Sequence, residues 1–387
     1  MLNALGKSYP LEQGIRRGAN NLDLFRLIAA FAVIYGHSFS LVASPGSEDI
    51  FARYTGHSTA GIAVKLFFFL SGVLVTNSLM EKRSAIDYIF ARIFRIWPAL
   101  LFVLTFSALI IGPIFTTLDL QAYFSDPNTY LYIKRQALMQ SWGTQGLGYY
   151  NLPGVFANNP YKDTVNASLW SLVVEVYAYI FLIGAFLIGL FNRRIVPFLF
   201  ALILLDTLLP ERLLFSFLPK GNEDFSYLPF CFASGSFLAF YKDKINMSAG
   251  VPIGFLLLLY LFKDTAYSRY FFYLFCFTTV LFLSMLDLTR AIKLPVDISY
   301  GVFLWGFPMQ QCLVHLFPEM SATSNQIAAA CLAAIMGTIS WYLIERHSIT
   351  VGRELSRRTS SLLRRRTAAN TEVTPSDTLS HAKTTKA

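Results

Sequence analysis

Ten apolar runs separated by short polar gaps occupy the chain from residue 22 to residue 345. They fall near 22–43, 61–80, 96–115, 168–190, 195–210, 225–241, 249–262, 269–287, 298–317 and 324–345. About 20 helical residues cover a bilayer core of about 30 Å, so runs of this kind predict membrane-spanning helices. Those at 195–210 and 249–262 are short for the task. The pattern predicts an all-α fold, a polytopic transmembrane helix bundle of about ten spans. Every second gap is rich in base: Arg16, Arg17, Lys82, Arg83, Arg92, Arg95, Arg193, Arg194, Lys242, Lys244, Arg290 and Lys293. The gaps between them carry fewer cations. The positive-inside rule then puts the basic gaps and both termini in the cytoplasm.

This pattern divides the chain into three parts. Residues 1–20 form a cytoplasmic N-terminal segment, and 21–347 a membrane domain with an extracytoplasmic loop near 116–167. Residues 348–387 read as a basic, disordered cytoplasmic tail suited to anionic lipid. The loop is rich in Tyr, Asn, Gln, Gly and Trp142, which suit either a sugar surface or the membrane interface. No internal repeat is visible, which counts against an inverted-repeat transporter.

Composition agrees with a membrane protein. The chain has 387 residues, 55% hydrophobic and only 14% charged, where a soluble domain carries about 25% charge. The net charge of +9 lies in the gaps and the tail, which argues against a nucleic-acid partner. Cys231, Cys276, Cys312 and Cys331 all fall in apolar runs without metal-ligand spacing, so they read as small buried hydrophobes and no metal site is expected.

Three clusters carry chemistry. In the first run, Arg26 and His37 are eleven residues apart, hence about 20° apart around a helix, with Asp23 on the same side. Charge inside an apolar helix normally faces a cavity or a partner. His37 lies about 16 Å of rise from Arg26, so a cation marks one membrane surface and an imidazole sits near mid-depth. In ARIFRIW, Arg92 and Arg95 share a helix face, and two guanidiniums suit either a phosphate or plain anchoring at the cytoplasmic surface. Arg26 enters the membrane at the same surface. In SLWSLVVEVYAY, Glu175 lies two turns inside the fourth run with Trp170 at its outer end, and His37 is its expected partner. Ser71-Gly72 allows close helix approach, and Phe67 to Phe69 could wall a tunnel. Ser71 has no G-x-S-x-G context, so it is not read as a hydrolase nucleophile.

Taken in order, LDLFRLIAAFAVIYGHSF, FFFLSGVLVTNSL, ARIFRIWPAL, LPGVFANNP, NASLWSLVVEVYAY, DISYGVFLWGFP and SWYLIER resemble the acyltransferase-3 family of bacterial integral membrane acyltransferases. That family includes O-antigen, exopolysaccharide and Nod-factor O-acetylases. The resemblance covers residues 20 to 346. It implies a bacterial inner-membrane enzyme that moves an acyl group, most simply acetyl, from cytoplasmic acyl-CoA to a hydroxyl of a surface glycan or its lipid-linked precursor. Acetyl-CoA would be a donor substrate and not a resident cofactor. The implied site has His37 and Glu175 as catalytic residues. Arg26, Arg92 and Arg95 would bind the CoA phosphates, with Asp23, Ser71, Trp170 and Tyr300 in support. Ala167, Gly306 and Glu345-Arg346-His347 depart from the usual family pattern. Gly306 stands where a histidine is common, which argues against a mechanism needing histidine in the ninth run. A secondary transporter or flippase for an anionic or lipid-linked sugar is the rival reading, since it too carries mid-membrane His, Arg and Glu. A scaffold whose buried charges only set helix register is a third. Oligomeric state is open, with a homodimer among the possibilities.

Overall fold

The computed structural model describes residues 6–16, 18–42, 47–140, 151–209, 212–216, 218 and 223–372. Arg17, Trp142 and the chain beyond 372 lie outside the described residues. Each of the ten apolar runs is a helix, labelled α1 (Leu22–Leu41), α2 (Thr59–Lys82), α3 (Ala85–Phe106), α4 (Leu169–Leu187), α5 (Val196–Leu208), α6 (Leu228–Phe240), α7 (Gly250–Leu261), α8 (Ser268–Met285), α9 (Ser299–Leu316) and α10 (Ala322–Ser340). Helix α3 continues through one π turn, Ser107–Ile111, to Phe115. The described chain is mostly helical, with one two-residue ladder pairing Tyr9–Pro10 with Asn246–Met247. Six helices are long and apolar enough to cross a membrane: α1, α2, α3, α4, α8 and α10 with its extension.

The four others fall short for physical reasons. α5, α6 and α7 have 12 or 13 residues, about 18–20 Å of helix against a core of about 30 Å. α9 has 18 residues, but Gln310, Gln311 and His315 lower its hydropathy. Those amides are fully buried. Gln310 donates to the Ile34 carbonyl at 2.8 Å, and Gln311 to the Tyr161 and Thr164 carbonyls at 2.8 and 2.7 Å. α9 is therefore a central helix held by polar contacts, and its Trp305 is fully buried beside Phe102 and Phe106.

Helix ends gather alternately at two poles. At one pole Asn21 before α1 donates to the Thr289 and Ile292 carbonyls after α8. Lys242 after α6 reaches Glu81 near the end of α2, and Arg193 before α5 pairs with Asp243. At the other, Tyr270 at the start of α8 donates to the Thr207 carbonyl near the end of α5. There too Gln326 near the start of α10 reaches Ser38 near the end of α1. Large apolar side chains face outward between the poles, with Phe198 at 76% and Ile188 at 73% exposure.

Within the loop of 116–167, Asn159 and Asn166 pack inward. Asn159 donates to the Gln311 carbonyl at 3.0 Å, and Asn166 to the Leu304 carbonyl at 2.9 Å. These amides serve α9 rather than a sugar surface. Cys231 is buried, but Cys331 is exposed, so burial does not hold for all four cysteines.

The tail expected to be disordered over 348–387 is helical as far as it is described. After the π turn Trp341–Glu345 the chain continues as α11, Arg346–Glu372. Gly352 packs on Phe94, where a Cβ would come within 2.6 Å of the ring-bearing carbon. Ser348 donates to the Phe94 carbonyl at 3.1 Å, and Ser356 donates to the Asp87 carboxylate. Polar composition hid a helix that is stabilised by docking on α3 and by the Glu354–Arg358 pair.

Candidate active site

A cavity of about 930 Å³ lies among α1, α2, α3, α4, α9 and α11. Its wall follows α2 from Val64 to Lys82, about 27 Å of helix. It is therefore a long channel with a cationic mouth and an aromatic deep end. Asp23, Arg26, Ser71, Arg92, Arg95, Glu175 and Tyr300 all line it. Two expected site residues do not. Trp170 packs on Phe225, with ring centroids 4.2 Å apart. His37 lies beyond the deep end, its ring 5.3 Å from that of Phe307. Phe303, one turn from Phe307 on α9, lines the cavity and meets Phe67 with centroids 6.0 Å apart. Of the three phenylalanines expected to wall a tunnel, Phe67 and Phe68 do so, while Phe69 stacks on Phe277.

Glu175 sits on the wall, not on His37. It accepts from the Ser71 hydroxyl at 2.8 Å and from the Tyr179 hydroxyl. The expected His37–Glu175 pair is therefore replaced by a serine–tyrosine clasp. Tyr179 follows Glu175 by one turn of α4, which is why its hydroxyl reaches the carboxylate.

The three arginines converge, but two are already neutralised. Arg26 lies 3.1 Å from Asp297 and 3.8 Å from Asp23. Arg95 lies 2.7 Å from Asp297 and 3.1 Å from Glu345. Burial opposes charge on Asp297, yet Arg26, Arg95 and Ser299 outweigh it and hold the carboxyl well below the usual carboxylate range. This network ties α1, α3, α9 and the end of α10 together at the mouth. Tyr300 lies under Arg95, 5.6 Å from the guanidinium, and donates to the Ile96 carbonyl. Arg92 differs. Its guanidinium lies over the Tyr179 ring at 5.7 Å and joins no ion pair among the described residues. It is the arginine left with charge to offer the cavity.

Asp297 was not singled out from the sequence, and Glu345 only as part of a departure from the family pattern, although both stand in the quoted segments DISYG and SWYLIER. An acidic residue at the edge of an apolar run, near several arginines, was the available signal.

The chain matches a family described as an acyltransferase domain over residues 19–346. It is 27% identical over 342 residues to a protein named O-acetyl transferase from Shigella phage Sf6, across 86% of this chain and 96% of that protein. It is 30% identical over 168 residues to Nodulation protein 10 of Rhizobium leguminosarum bv. viciae, across 42% of each chain. No solved structure matches it.

Proposed function

The chain belongs to this acyltransferase family, and from that premise we propose an O-acetyltransferase of a bacterial inner membrane that takes acetyl from cytoplasmic acetyl-CoA. The acceptor is a hydroxyl of a surface glycan or its lipid-linked precursor. The relatives named for O-acetyl transfer and nodulation support this choice. The ten helices cross as ten spans with both termini in the cytoplasm. Their alternating poles and the positive gaps support that count.

The observation that carries the reading is the channel itself. It joins a cationic mouth to a deep end at Phe303, one helical turn from the Phe307 whose ring meets His37. The nucleotide end of CoA rests at the mouth, with Arg92 and Lys82 on its phosphates. The pantetheine arm follows α2 past Glu175 and Ser71 and brings the thioester toward Phe67 and Phe303. His37 takes the proton of the acceptor hydroxyl as its oxygen attacks the thioester carbonyl. The carbon–sulfur bond breaks and CoA leaves as thiolate, which takes up a proton. Glu175, with its clasp, orients the arm, and Arg26 and Arg95 keep the mouth in shape through Asp297 and Glu345.

The test is thiol release from acetyl-CoA by the purified protein in nanodiscs, with the host's surface glycans as acceptor. Wild type should turn over and His37→Ala should not, while both bind CoA. Absence of CoA binding in wild type would overturn the donor assignment and favour transport.

A further inference from the structure

The family match ends at residue 346, where α11 begins, yet α11 walls the mouth of the channel. Arg346, Arg353 and Arg357 are seven and eleven residues apart along it. Helical geometry puts all three within about 40° on one face, and all three line the cavity. Arg346 lies over the Tyr342 ring. Arg353 and Arg357 join no ion pair among the described residues, and the neighbouring carboxylate, Glu354, is held by Arg358 at 2.8 Å. Lys82 on α2 and Arg92 on α3 likewise join no ion pair among the described residues. The mouth thus gathers five cations outside any ion pair among the described residues, Lys82, Arg92, Arg346, Arg353 and Arg357, from three helices. The contacts of Gly352, Ser348 and Ser356 with α3 fix the register in which α11 presents its arginines. Asp87, the anion on this wall, is engaged by Ser356.

Coenzyme A carries two separate anionic groups at its nucleotide end, a diphosphate and a 3′-phosphomonoester. Along α3, Asp87 meets Ser356 and Phe94 meets Gly352, so Arg357 stands about a turn nearer the mouth than Arg92, with Arg353 level with Arg92. The outermost phosphate of a molecule threaded thioester-first therefore meets Arg353 and Arg357. We propose that α11 completes the donor site, Arg353 and Arg357 binding the 3′-phosphate that distinguishes CoA from dephospho-CoA. The proposal rests on the acyl-CoA reading. Guanidinium forks suit such a phosphate, because charge-assisted hydrogen bonds are the strong ones. Phospholipid headgroups offer the same phosphate chemistry, and the test separates the two.

Affinities of CoA and dephospho-CoA are measured for the full chain in nanodiscs of neutral lipid, and again with anionic lipid. Wild type should prefer CoA by about tenfold or more in both, as two charged hydrogen bonds allow. The double variant R353Q/R357Q should lose that preference and still bind dephospho-CoA, which reports an intact fold. Arg358→Gln, on the Glu354 pair, should keep the preference. If R353Q/R357Q keeps it and loses only affinity for anionic lipid, the arginines serve headgroups and the proposal falls. If wild type binds neither nucleotide, the acyl-CoA reading itself has failed.

Discussion

Two guanidiniums share Asp297, at 3.1 Å from Arg26 and 2.7 Å from Arg95. Removing one partner of a buried ion network leaves charge uncompensated and costs about 3–5 kcal/mol. Asp297→Ala should therefore lower the unfolding temperature in detergent far more than a surface substitution such as Glu354→Ala. The pH dependence has a definite sign. The folded carboxyl is held below its unfolded value of about 3.9. Its stabilisation is thus complete above about pH 4 and is lost as pH falls through the lower folded value. The gap between wild type and Asp297→Ala should be flat from about pH 5 to 8 and shrink in acid. At the other end of the channel, His37→Gln should cut turnover by about 10²- to 10⁴-fold, the usual worth of a general base, with CoA affinity retained. Equal loss of affinity would show a structural histidine instead. The sequence made the convergence of Arg26, Arg92 and Arg95 legible through helical spacing and the shared membrane surface. It did not reveal which of them were neutralised. Asp297 and Glu345 stand 271 and 250 residues from Arg26 and Arg95, and no local period reports a contact at that separation. The misplaced Glu175 partner has that origin for Ser71, 104 residues away, but not for Tyr179, one turn along α4. His37 and Glu175 were matched by chemistry, whereas the fold supplied Ser71 and Tyr179 first.

Helix pairs show a second kind of legibility. Ser71-Gly72 announced close packing, and α2 does meet α6 backbone to backbone. A Cβ on Gly72 would lie 2.2 Å from the Phe232 carbonyl oxygen, and one on Gly235 would lie 2.1 Å from the Phe69 oxygen. Backbone cannot yield as a flexible side chain does, so Gly72→Ala must push the helices apart and shift the Ser71 hydroxyl that Glu175 holds. The expected cost is about 1–3 kcal/mol of overpacking, with a fall in turnover. Gly184→Ala is the control, because nothing lies within 4 Å of its Cβ position. There the helix should gain up to about 1 kcal/mol from Ala over Gly. Matching unfolding shifts for the two variants would refute the close-packing argument. Element existence was readable from apolar runs. α11 was not, because its face is cationic, and its stability comes from docking that only the tertiary fold provides. Gly306 has a related lesson. A Cβ there would come within 2.6 Å of the Ile34 side chain, which would have to turn aside to admit a larger residue.

At the scale of the whole molecule, the alternation of poles turns ten helices into a prediction about sidedness. α5, α6 and α7 are the weak links, since about 18–20 Å of helix is shorter than the core. Their flanks, local thinning of the bilayer or snorkelling side chains must supply the rest. Single cysteines placed at Arg83 and Lys244 belong to the pole of the cationic gaps. Those at Tyr54 and Lys263 belong to the other, where Tyr54 is 81% exposed. In a background with Cys231, Cys276, Cys312 and Cys331 replaced, an impermeant maleimide applied to right-side-out vesicles should label Tyr54→Cys and Lys263→Cys. It should reach Arg83→Cys and Lys244→Cys only after permeabilisation. Labelling of Lys244→Cys and Lys263→Cys from the same face would mean that α7 does not cross, and the count would fall below ten. The same vesicles fix the direction of catalysis. The channel mouth shares its pole with Lys82 and Arg353, so acetyl-CoA outside sealed right-side-out vesicles should release no thiol. Inverted vesicles should consume it, provided acceptor is sealed within. A chain whose donor enters at the cationic pole and whose acceptor reaches His37 from the other pole needs no transport cycle, because the acyl group alone passes between the two sides.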